Sequence, residues 1–244
     1  MCKIVDTTLR DGEQMAGVEL GFNDKIEFAK IIDSKNVYQI EAGTPAMGGD
    51  EKKSIEKLMS LGLKSKISAW NRMNINDINH SIDCGVDIIH IAVPVSDIQI
   101  QWKLGKDRIW VINQMKKSVY YAKAKGLQVV VGLEDASRTS TDFLIQVIKE
   151  AKTLGIERIR YADTVGILYP EKSFKLISEI KQNIDISIEF HAHNDFGMAI
   201  ANSVSAVMAG AEFLDSTFGG IGERAGNCNY VKLMDALNKN NWTK

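Results

Sequence analysis

The sequence predicts an α/β fold of the (β/α)8 TIM-barrel class, and three observations favour it. The chain has 244 residues, which suits one barrel of this kind. Strand-like and helix-like patterns alternate eight times along it. Polar residues are concentrated where the predicted strands end. A doubly wound open sheet is the alternative, but it usually has fewer strands, and no GxGxxG motif follows the first strand. We therefore expect a single domain over residues 1–244.

Eight short apolar runs predict the strands, at residues 3–6, 38–41, 66–69, 88–93, 128–132, 158–162, 187–190 and 212–216. Segments with helical spacing follow them in turn, at residues 24–34, 50–61, 75–84, 108–125, 141–154, 171–182, 198–209 and 229–240. Asp24 with Glu27 three residues later is a capping pattern, and Pro170 suits a first helical turn. Glycines stand where five helices are expected to end, at Gly62, Gly85, Gly126, Gly155 and Gly210.

The composition is that of an average globular chain, with 45% hydrophobic and 25% charged residues. No apolar run approaches the ~20 residues that span a bilayer, and we expect no signal peptide before the first strand. A net charge of −1 without a basic block argues against nucleic acid or anionic membranes as partners. Cys2, Cys84 and Cys228 are far apart and form no CxxC motif, which favours a reducing, cytoplasmic location over a thiolate metal site.

Two of the four histidines, His191 and His193, lie at the end of the seventh predicted strand. Residues i and i+2 of a strand point to the same face, so both imidazoles are expected to reach one metal ion. One further carboxylate would complete a two-histidine, one-carboxylate set, which leaves adjacent coordination positions for a substrate with two oxygens. In a closed barrel the first and seventh strands are two positions apart, so Asp11, just after the first strand, can supply that carboxylate.

Most of the other polar groups capable of chemistry also follow predicted strands, where a TIM barrel places its functional residues. They are Arg10, Glu41, Asn71, Arg72, Ser96, Glu134, Asp135, Asp163, Thr164 and Thr217. Taken singly, Glu41, Asn71 or Asp135 could equally be an ordinary solvated loop residue. As a set, these residues predict an active site at this rim.

Three motifs carry a family resemblance: DTTLRDGEQ at residues 6–14, HAHND at 191–195 and GIGERAGN at 220–227. Together they resemble the metal-dependent barrel family of isopropylmalate, citramalate and homocitrate synthases, with the related acyl-CoA lyases and oxo-acid aldolases. The resemblance runs the full length of the chain. It implies a TIM-barrel acyltransferase in which the methyl of acetyl-CoA adds to the ketone of a 2-oxo acid.

The resemblance also implies roles for the residues at the rim. A divalent ion, with Mn²⁺ or Mg²⁺ favoured and Zn²⁺ as the alternative, would sit on Asp11, His191 and His193, with Asn227 as a weaker or water-mediated ligand. Arg10 would face the developing oxyanion, or form a salt bridge to Glu41 or Glu134, or do both. Glu134 would position the thioester or hold a proton. Thr164 would donate to the acceptor carboxylate or make a rim hydrogen bond. Further substrate-binding candidates are Gln14, Ser96 and Arg72.

The loop at residues 94–106 occupies the place where this family selects its oxo acid. Gln99 stands where isopropylmalate synthases tend to have histidine, and Ile100 is near the position where lysine-pathway homocitrate synthases tend to have arginine. The sequence PVSD at 94–97 is most similar to the nitrogenase-associated homocitrate synthases, which implies 2-oxoglutarate. Citrate, citramalate and isopropylmalate synthases remain alternatives.

Two other classes remain open. The lyases carry a cysteine in the glycine loop, whereas residues 219–226 contain none. A non-catalytic subunit that binds a 2-oxo acid would have less use for Arg10. Family synthases continue into C-terminal subdomains, and the sequence ends at Trp242-Thr-Lys244, so we expect a split enzyme or a truncated piece. The isolated chain is expected to bind metal and oxo acid but to condense acetyl-CoA poorly. We expect it to form a homo-oligomer, or a complex with a chain that carries the C-terminal domain.

Overall fold

The computed structural model describes residues 2–242 and contains a closed barrel of eight parallel strands. The strands are β1 Lys3–Asp6, β2 Gln39–Glu41, β3 Lys66–Arg72, β4 Ile88–Pro94, β5 Gln128–Glu134, β6 Arg158–Asp163, β7 Ser187–Ala192 and β8 Phe213–Ser216. Each strand pairs with the next one, and β8 pairs with β1 to close the ring. The closed ring confirms the predicted (β/α)8 class and excludes the open doubly wound sheet.

A helix follows each strand. The helices are α1 Phe22–Asp33, α2 Gly49–Met59, α3 Ile75–Cys84, α4 Arg108–Ala124, α5 Thr141–Thr153, α6 Pro170–Asn183, α7 Ala199–Met208 and α8 Tyr230–Lys239. Short helical turns lie in the loops, at Gly12–Gln14, Pro45–Met47, Gln99–Lys103, Ala136–Arg138 and Phe218–Gly220. Within the described residues no helix has the length and apolar character needed to cross a membrane.

The helix boundaries depart from prediction mainly at α1, which begins at Phe22 rather than at Asp24. Asp24 still stabilises the start of the helix, because its carboxylate accepts a hydrogen bond from the Gly21 N–H at 2.8 Å. The five glycines predicted at helix ends all have positive φ, between 64° and 104°. Glycine is favoured there because other residues lose energy in the left-handed region.

Several strands extend further toward the carboxyl rim than predicted, most clearly β3, β5 and β7. Glu134 and His191 therefore lie within strands rather than after them. The backbone ladder continues beyond the predicted strand ends, through Trp70–Arg72 in β3, Leu133–Glu134 in β5 and His191–Ala192 in β7. The last residues of these strands are held by the sheet and not by mobile loops.

Apolar side chains fill the space between the strands and the helices, where Ile55, Val131, Ile159 and Leu214 are fully buried. The barrel interior is different because charged side chains occupy its middle. Buried polar groups there come from five strands: Glu41, His90, Arg158, Arg160, Glu189 and Asp215. A buried charge is tolerated only when it is paired, so this interior must be an ion-pair network.

Candidate metal centre and active site

The structure brings Asp11, His191 and His193 together at the carboxyl end of the barrel. All three are buried, and one ligand atom from each lies within 4.8 Å of the others. The two Nε2 atoms are 3.2 Å apart, and Nε2 of His191 is 3.6 Å from Oδ2 of Asp11. The histidines are inward-facing residues of β7 and its end, while Asp11 begins the turn after β1, as the strand periodicity predicts.

The protonation of these residues suits cation binding. Burial lowers the pKa of His191 and of His193 to about 4, so both imidazoles are neutral near pH 7. Burial acts to raise the pKa of Asp11, but the Arg10 guanidinium and the two histidines overcome it and hold that pKa well below its usual range. Two neutral nitrogens and one carboxylate are the donors that a divalent ion requires.

Asp215 orients His191. The Nδ1 of His191 lies 2.9 Å from Oδ2 of Asp215, which places the proton on Nδ1 and leaves the lone pair on Nε2 toward Asp11 and His193. Carboxylates behind ligating histidines commonly fix the tautomer in this way.

Asn227 borders the same triad from the far end of the chain. Its Nδ2 donates to Oδ1 of Asp11 at 2.8 Å and to the Ile221 carbonyl at 3.0 Å. Its Oδ1 is buried and has no hydrogen-bond partner among the described residues. An unpaired buried carbonyl oxygen, on a residue that is hydrogen-bonded to Asp11 and paired through its backbone with His193, fits a metal-bound or water-bound role. Gly222 makes this approach possible, because a Cβ there would lie 2.0 Å from Nδ2 of Asn227.

Arg10 connects the triad to the ion pairs inside the barrel. Its Nη1 lies 2.8 Å from Oδ2 of Asp11, and its Nε donates to Oε2 of Glu41 at 2.7 Å. Of the two alternative salt bridges considered for Arg10, the one to Glu41 is present. Glu134 instead pairs with Lys103 at 2.8 Å.

These groups open into a cavity of about 250 Å³ at the barrel mouth. It is lined by Arg10, Asp11, Gln14, Trp70, His90, Ala92, Lys103, Gly132, Glu134, Arg160, Ala162, Thr164, His191, His193 and Glu223. Seven of the predicted site residues are in this lining: Arg10, Asp11, Gln14, Glu134, Thr164, His191 and His193. Asn227 is not in the lining but is hydrogen-bonded to Asp11, which is.

A protein-family model described as HMGL-like matches residues 1–244, which is the whole chain. The chain belongs to the HMGL-like family. The resemblance seen in the three sequence motifs is therefore confirmed.

Curated relatives of this HMGL-like chain are named as synthases. It is 57% identical to the homocitrate synthase subunit alpha of Clostridium pasteurianum over 234 residues, which cover 96% of this chain and 87% of that one. It is 49% identical to 2-isopropylmalate synthase 2 of Caldanaerobacter subterraneus, covering 96% of this chain and 61% of the relative. Identity to the (R)-citramalate synthase CimA of Methanocaldococcus jannaschii is 43%, covering 97% of this chain and 48% of the relative.

Solved structures with the same fold as this chain include two lyases. The HMG-CoA lyase of Bacillus subtilis superposes with a TM-score of 0.86 over 98% of this chain and 86% of that one, at 18% identity. The HMG-CoA lyase of Pseudomonas aeruginosa gives a TM-score of 0.85, also at 18% identity and over 98% of this chain and 85% of that one. At such low identity these matches establish the barrel architecture of the HMGL-like chain and nothing about its chemistry.

Two of the predicted substrate-binding residues of this HMGL-like chain, Ser96 and Arg72, are not in the cavity lining, although Arg72 lines a neighbouring cavity that shares Trp70, Ala92, Lys103 and Glu134 with it. Ser96 is fully buried beneath the rim and donates a hydrogen bond to Oδ2 of Asp135 at 2.5 Å. Arg72 is 66% exposed at the end of β3 and forms a two-pronged ion pair with Asp77 at the start of α3. Both contacts have a structural explanation. Ser96 is a hydrogen-bond donor to the carboxylate of Asp135, and Arg72 pairs with the carboxylate of Asp77.

The loop after β4 contains the two positions compared for substrate choice, Gln99 and Ile100. Ile100 is buried in the core and Gln99 is half-buried, and the cavity lining includes neither of them. Lys103, one turn further on, does reach the cavity through its contact with Glu134. The two positions compared for substrate choice therefore lie outside this lining.

Sequence reasoning missed the polar floor of the cavity, formed by His90 on β4 and Arg160 on β6. The Nδ1 of His90 is 2.6 Å from Oε1 of Glu41, and Nη1 of Arg160 is 3.1 Å from the same oxygen. Both residues lie inside predicted strands, whereas the site was predicted from residues that follow the strands. The alternation of Arg158 and Arg160 in β6 was the available indication that charged side chains point inward there.

Proposed function

We propose that this chain provides the barrel of a metal-dependent acyltransferase that condenses acetyl-CoA with a 2-oxo acid, after which water hydrolyses the thioester and releases CoA. We propose that the acid is 2-oxoglutarate, giving homocitrate. The buried triad of Asp11, His191 and His193, with the Arg10 guanidinium 2.8 Å from Asp11, carries the proposal. The names of the relatives, which are homocitrate, isopropylmalate and citramalate synthases, support it. The domain that does this work spans residues 1–244.

A divalent ion on the triad would polarise the acceptor's keto group and hold its carboxylate in place. Mn²⁺ or Mg²⁺ is the ion we propose, with Zn²⁺ as the alternative, and Asn227 would add its unpaired Oδ1 directly or through water. The donor set of two imidazole nitrogens and oxygens accepts all three ions.

The chain's own residues supply the remaining electrostatics. As the acetyl methyl carbon loses a proton and bonds to the keto carbon, negative charge grows on the keto oxygen, and Arg10 faces that charge. Thr164 accepts from the Asp135 N–H through Oγ1 at 2.8 Å, so its own hydroxyl proton can be donated to the acceptor carboxylate. Glu134, paired with Lys103 at the cavity mouth, positions the thioester or holds a proton.

We further propose that the complete enzyme requires more than this chain. The Clostridium relative is named as a subunit, and the chain spans only 61% and 48% of the other two synthases. A companion chain with the C-terminal subdomains, or a homo-oligomer, would complete the site and supply the proton acceptor for enolate formation.

The test is the release of free CoA from acetyl-CoA with 2-oxoglutarate, oxaloacetate, 2-oxoisovalerate or pyruvate. Assays use the Mn²⁺-loaded chain alone and with a chain that carries the C-terminal subdomains. We expect release with 2-oxoglutarate, strongly increased by the companion and abolished by Asp11→Ala. Robust turnover by the chain alone would contradict the split enzyme, and preference for another acid would reassign the substrate.

A non-catalytic oxo-acid-binding subunit predicts a different result. Such a subunit would bind metal and oxo acid but would never exchange the methyl protons of acetyl-CoA with solvent, even beside its companion. Exchange measured by deuterium uptake therefore separates the two functions, and its absence would overturn the proposed acyltransferase.

A further inference from the structure

Arg224 has a backbone conformation that its residue type rarely adopts. Its φ is 55°, in the left-handed region. Three further non-glycine residues in the described part of the chain have positive φ, and all are Asn or Asp, which tolerate this region better. The loop around Arg224 is rich in glycines with positive φ, at Gly219, Gly220, Gly222 and Gly226. Glycine would be the unstrained residue at position 224 as well, so the arginine side chain must offset the cost of its backbone.

The guanidinium of Arg224 joins the loops that follow three neighbouring strands, β6, β7 and β8. Its Nε and Nη2 donate to the two carboxylate oxygens of Asp195, in the loop after β7, at 2.7 and 2.9 Å. Its Nη2 also donates to the carbonyl oxygen of Thr164, in the loop after β6, at 2.8 Å. We call these three hydrogen bonds the rim clamp. An exposed ion pair contributes little by itself, but a two-pronged pair within a network holds a defined geometry.

Both partners of Arg224 are held in place by their own loops. The turn that carries Thr164 is closed by Asp163, whose carboxylate accepts hydrogen bonds from two N–H groups further along the turn, at 3.1 and 2.9 Å. Asp195 packs against Gly166 of the same turn, where a Cβ would lie 2.4 Å from Oδ2 of Asp195. Only glycine allows the carboxylate to occupy this position. The two loops therefore form a fixed acceptor to which Arg224 binds.

The rim clamp completes the cavity wall between the loops after β6 and β8. Thr164 and Glu223 line the cavity, whereas Arg224 does not. Arg224 follows Glu223 in the chain and donates to Thr164, so it ties one lining residue to the other. The base of the glycine loop has its own hydrogen bond, from the Asn227 N–H to a carbonyl across the loop at 2.9 Å. The tip, residues 223–225, is joined to the neighbouring loops by the clamp.

We propose that Arg224 is a positioning residue, which holds the tip of the glycine loop against Thr164 and so keeps the cavity closed around a bound 2-oxo acid. The inference rests on the proposed function, in which Thr164 donates to the acceptor carboxylate. Without the clamp, Glu223 can move away from the cavity and the Thr164 backbone loses a hydrogen bond. The metal centre does not depend on the clamp, because Asn227 is hydrogen-bonded to Asp11 at 2.8 Å independently of Arg224.

The variant that tests this role is Arg224→Gly, because it removes the clamp and relieves the strained backbone together. Its unfolding temperature is expected to stay within about 3 °C of the wild type. We expect the affinity of the Mn²⁺-loaded chain for 2-oxoglutarate, measured by calorimetry without turnover, to fall about tenfold, which corresponds to one lost hydrogen bond. Mn²⁺ affinity is expected to change less than about twofold. Unchanged affinity for the acid, or an equal loss of Mn²⁺ affinity, would overturn the inference.

Asp195→Ala removes the same ion pair from the other side and should reproduce the loss of acid affinity. Lys116→Ala is the matched control. Lys116 of α4 pairs with Glu150 of α5 at 2.8 Å, and its side chain is 42% exposed against 41% for Arg224, but neither residue of this pair lines the cavity. The control variant is expected to bind Mn²⁺ and the acid as the wild type does. A loss of acid affinity in the control as large as in Arg224→Gly would overturn the inference.

Hydrogen exchange of the Mn²⁺-loaded chain tests the clamp without any substrate. The Gly226 N–H donates to the Glu223 carbonyl at 2.9 Å and closes the tip of the loop. In Arg224→Gly we expect exchange over residues 219–226 to become about tenfold faster, while exchange in β4 stays unchanged. Equal exchange of this loop in the variant and the wild type would overturn the inference.

Failure of the proposed function would be seen separately. A wild-type chain whose acid binding depends on Arg224, but which releases no CoA beside its companion, would contradict condensation alone. Acid affinity and CoA release that are both unchanged in Arg224→Gly would contradict this inference alone.

Discussion

The Nδ1 of His191 donates a hydrogen bond to Oδ2 of Asp215 over 2.9 Å, and this contact fixes which nitrogen of His191 faces Asp11 and His193. Asp215→Ala is therefore expected to weaken Mn²⁺ binding about 10- to 100-fold, the usual effect of removing the partner of a ligating histidine. Calorimetric titration of the metal-free chain measures it.

The control for that variant is Asp163→Asn. Asp163 is also a fully buried carboxylate near the rim, but it accepts hydrogen bonds from the N–H groups of Ile167 and Leu168 and not from a candidate ligand. Its substitution should lower the unfolding temperature while Mn²⁺ affinity stays unchanged. Equal loss of affinity in both variants would show that Asp215 acts only through stability.

The histidine pair makes the metal-free chain sensitive to acid. Folding lowers the pKa of His191 and His193 from 6.5 to about 4, so between these values the unfolded chain binds more protons than the folded chain. Stability from this source is present above pH 6.5 and is lost as the pH falls toward 4. Urea unfolding at several pH values measures it, and His193→Gln should flatten the dependence. Stability that does not fall as the pH falls over this interval, or that falls as steeply in the variant as in the wild type, would contradict the assignment.

Arg10→Lys tests charge stabilisation at the keto oxygen. Lysine keeps the charge but cannot span Asp11 and Glu41 as the guanidinium does, so its charge is misplaced. We expect kcat of the complete enzyme to fall about 100-fold, a magnitude typical of losing one such donor, with KM for the oxo acid changed far less. A change confined to KM would assign Arg10 to binding only.

Ser96→Ala separates a structural serine from a substrate-binding one. Loss of its hydrogen bond to the buried Asp135 should cost about 1 to 3 kcal/mol of unfolding free energy. Affinity for 2-oxoglutarate should be unchanged, because Ser96 lies outside the cavity lining. Reduced affinity in a variant of normal stability would assign Ser96 to substrate binding.

Cysteine labelling bears on the rival lyase chemistry. Burial raises the pKa of Cys228, the cysteine nearest the glycine loop in sequence, to about 12, so its thiolate is scarce at neutral pH. Iodoacetamide should leave Cys228 unlabelled in the native chain and label it after unfolding, as mass spectrometry of peptides would report. Rapid native labelling of Cys228 with loss of activity would favour a thiol-dependent lyase.

The sequence was sufficient for the barrel and for the triad because both depend on simple periodicities. Alternating strands and helices leave few arrangements other than a closed ring, and the spacing of His191 and His193 places both on one face of β7. Asp11 followed from the neighbourhood of β1 and β7 in that ring. The glycines at helix ends could be predicted because each turn needs a residue with positive φ, which depends only on the local backbone.

The cavity floor required coordinates because its residues interact over long sequence separations. Arg160 and Glu41 are 119 residues apart, and nothing local in either strand indicates that they meet inside the barrel. Ser96 shows the opposite difficulty. A polar side chain after a strand can point into the cavity or pack below the rim against a buried carboxylate. In Ser96 the second arrangement occurs, because its hydroxyl donates to Asp135.

The contact between Asn227 and Asp11 joins residues 216 positions apart, and Asp11 lies 3.6 Å from His191 and 4.0 Å from His193. An ion held at this place would therefore link the first and last turns of the ring across the seam where β8 meets β1. During synthesis on the ribosome the site cannot form until β8 has emerged. Metal binding would therefore indicate that the barrel has closed. A dissociating ion would correspondingly release the seam first, and hydrogen exchange in β1 and β8 should increase before it does elsewhere.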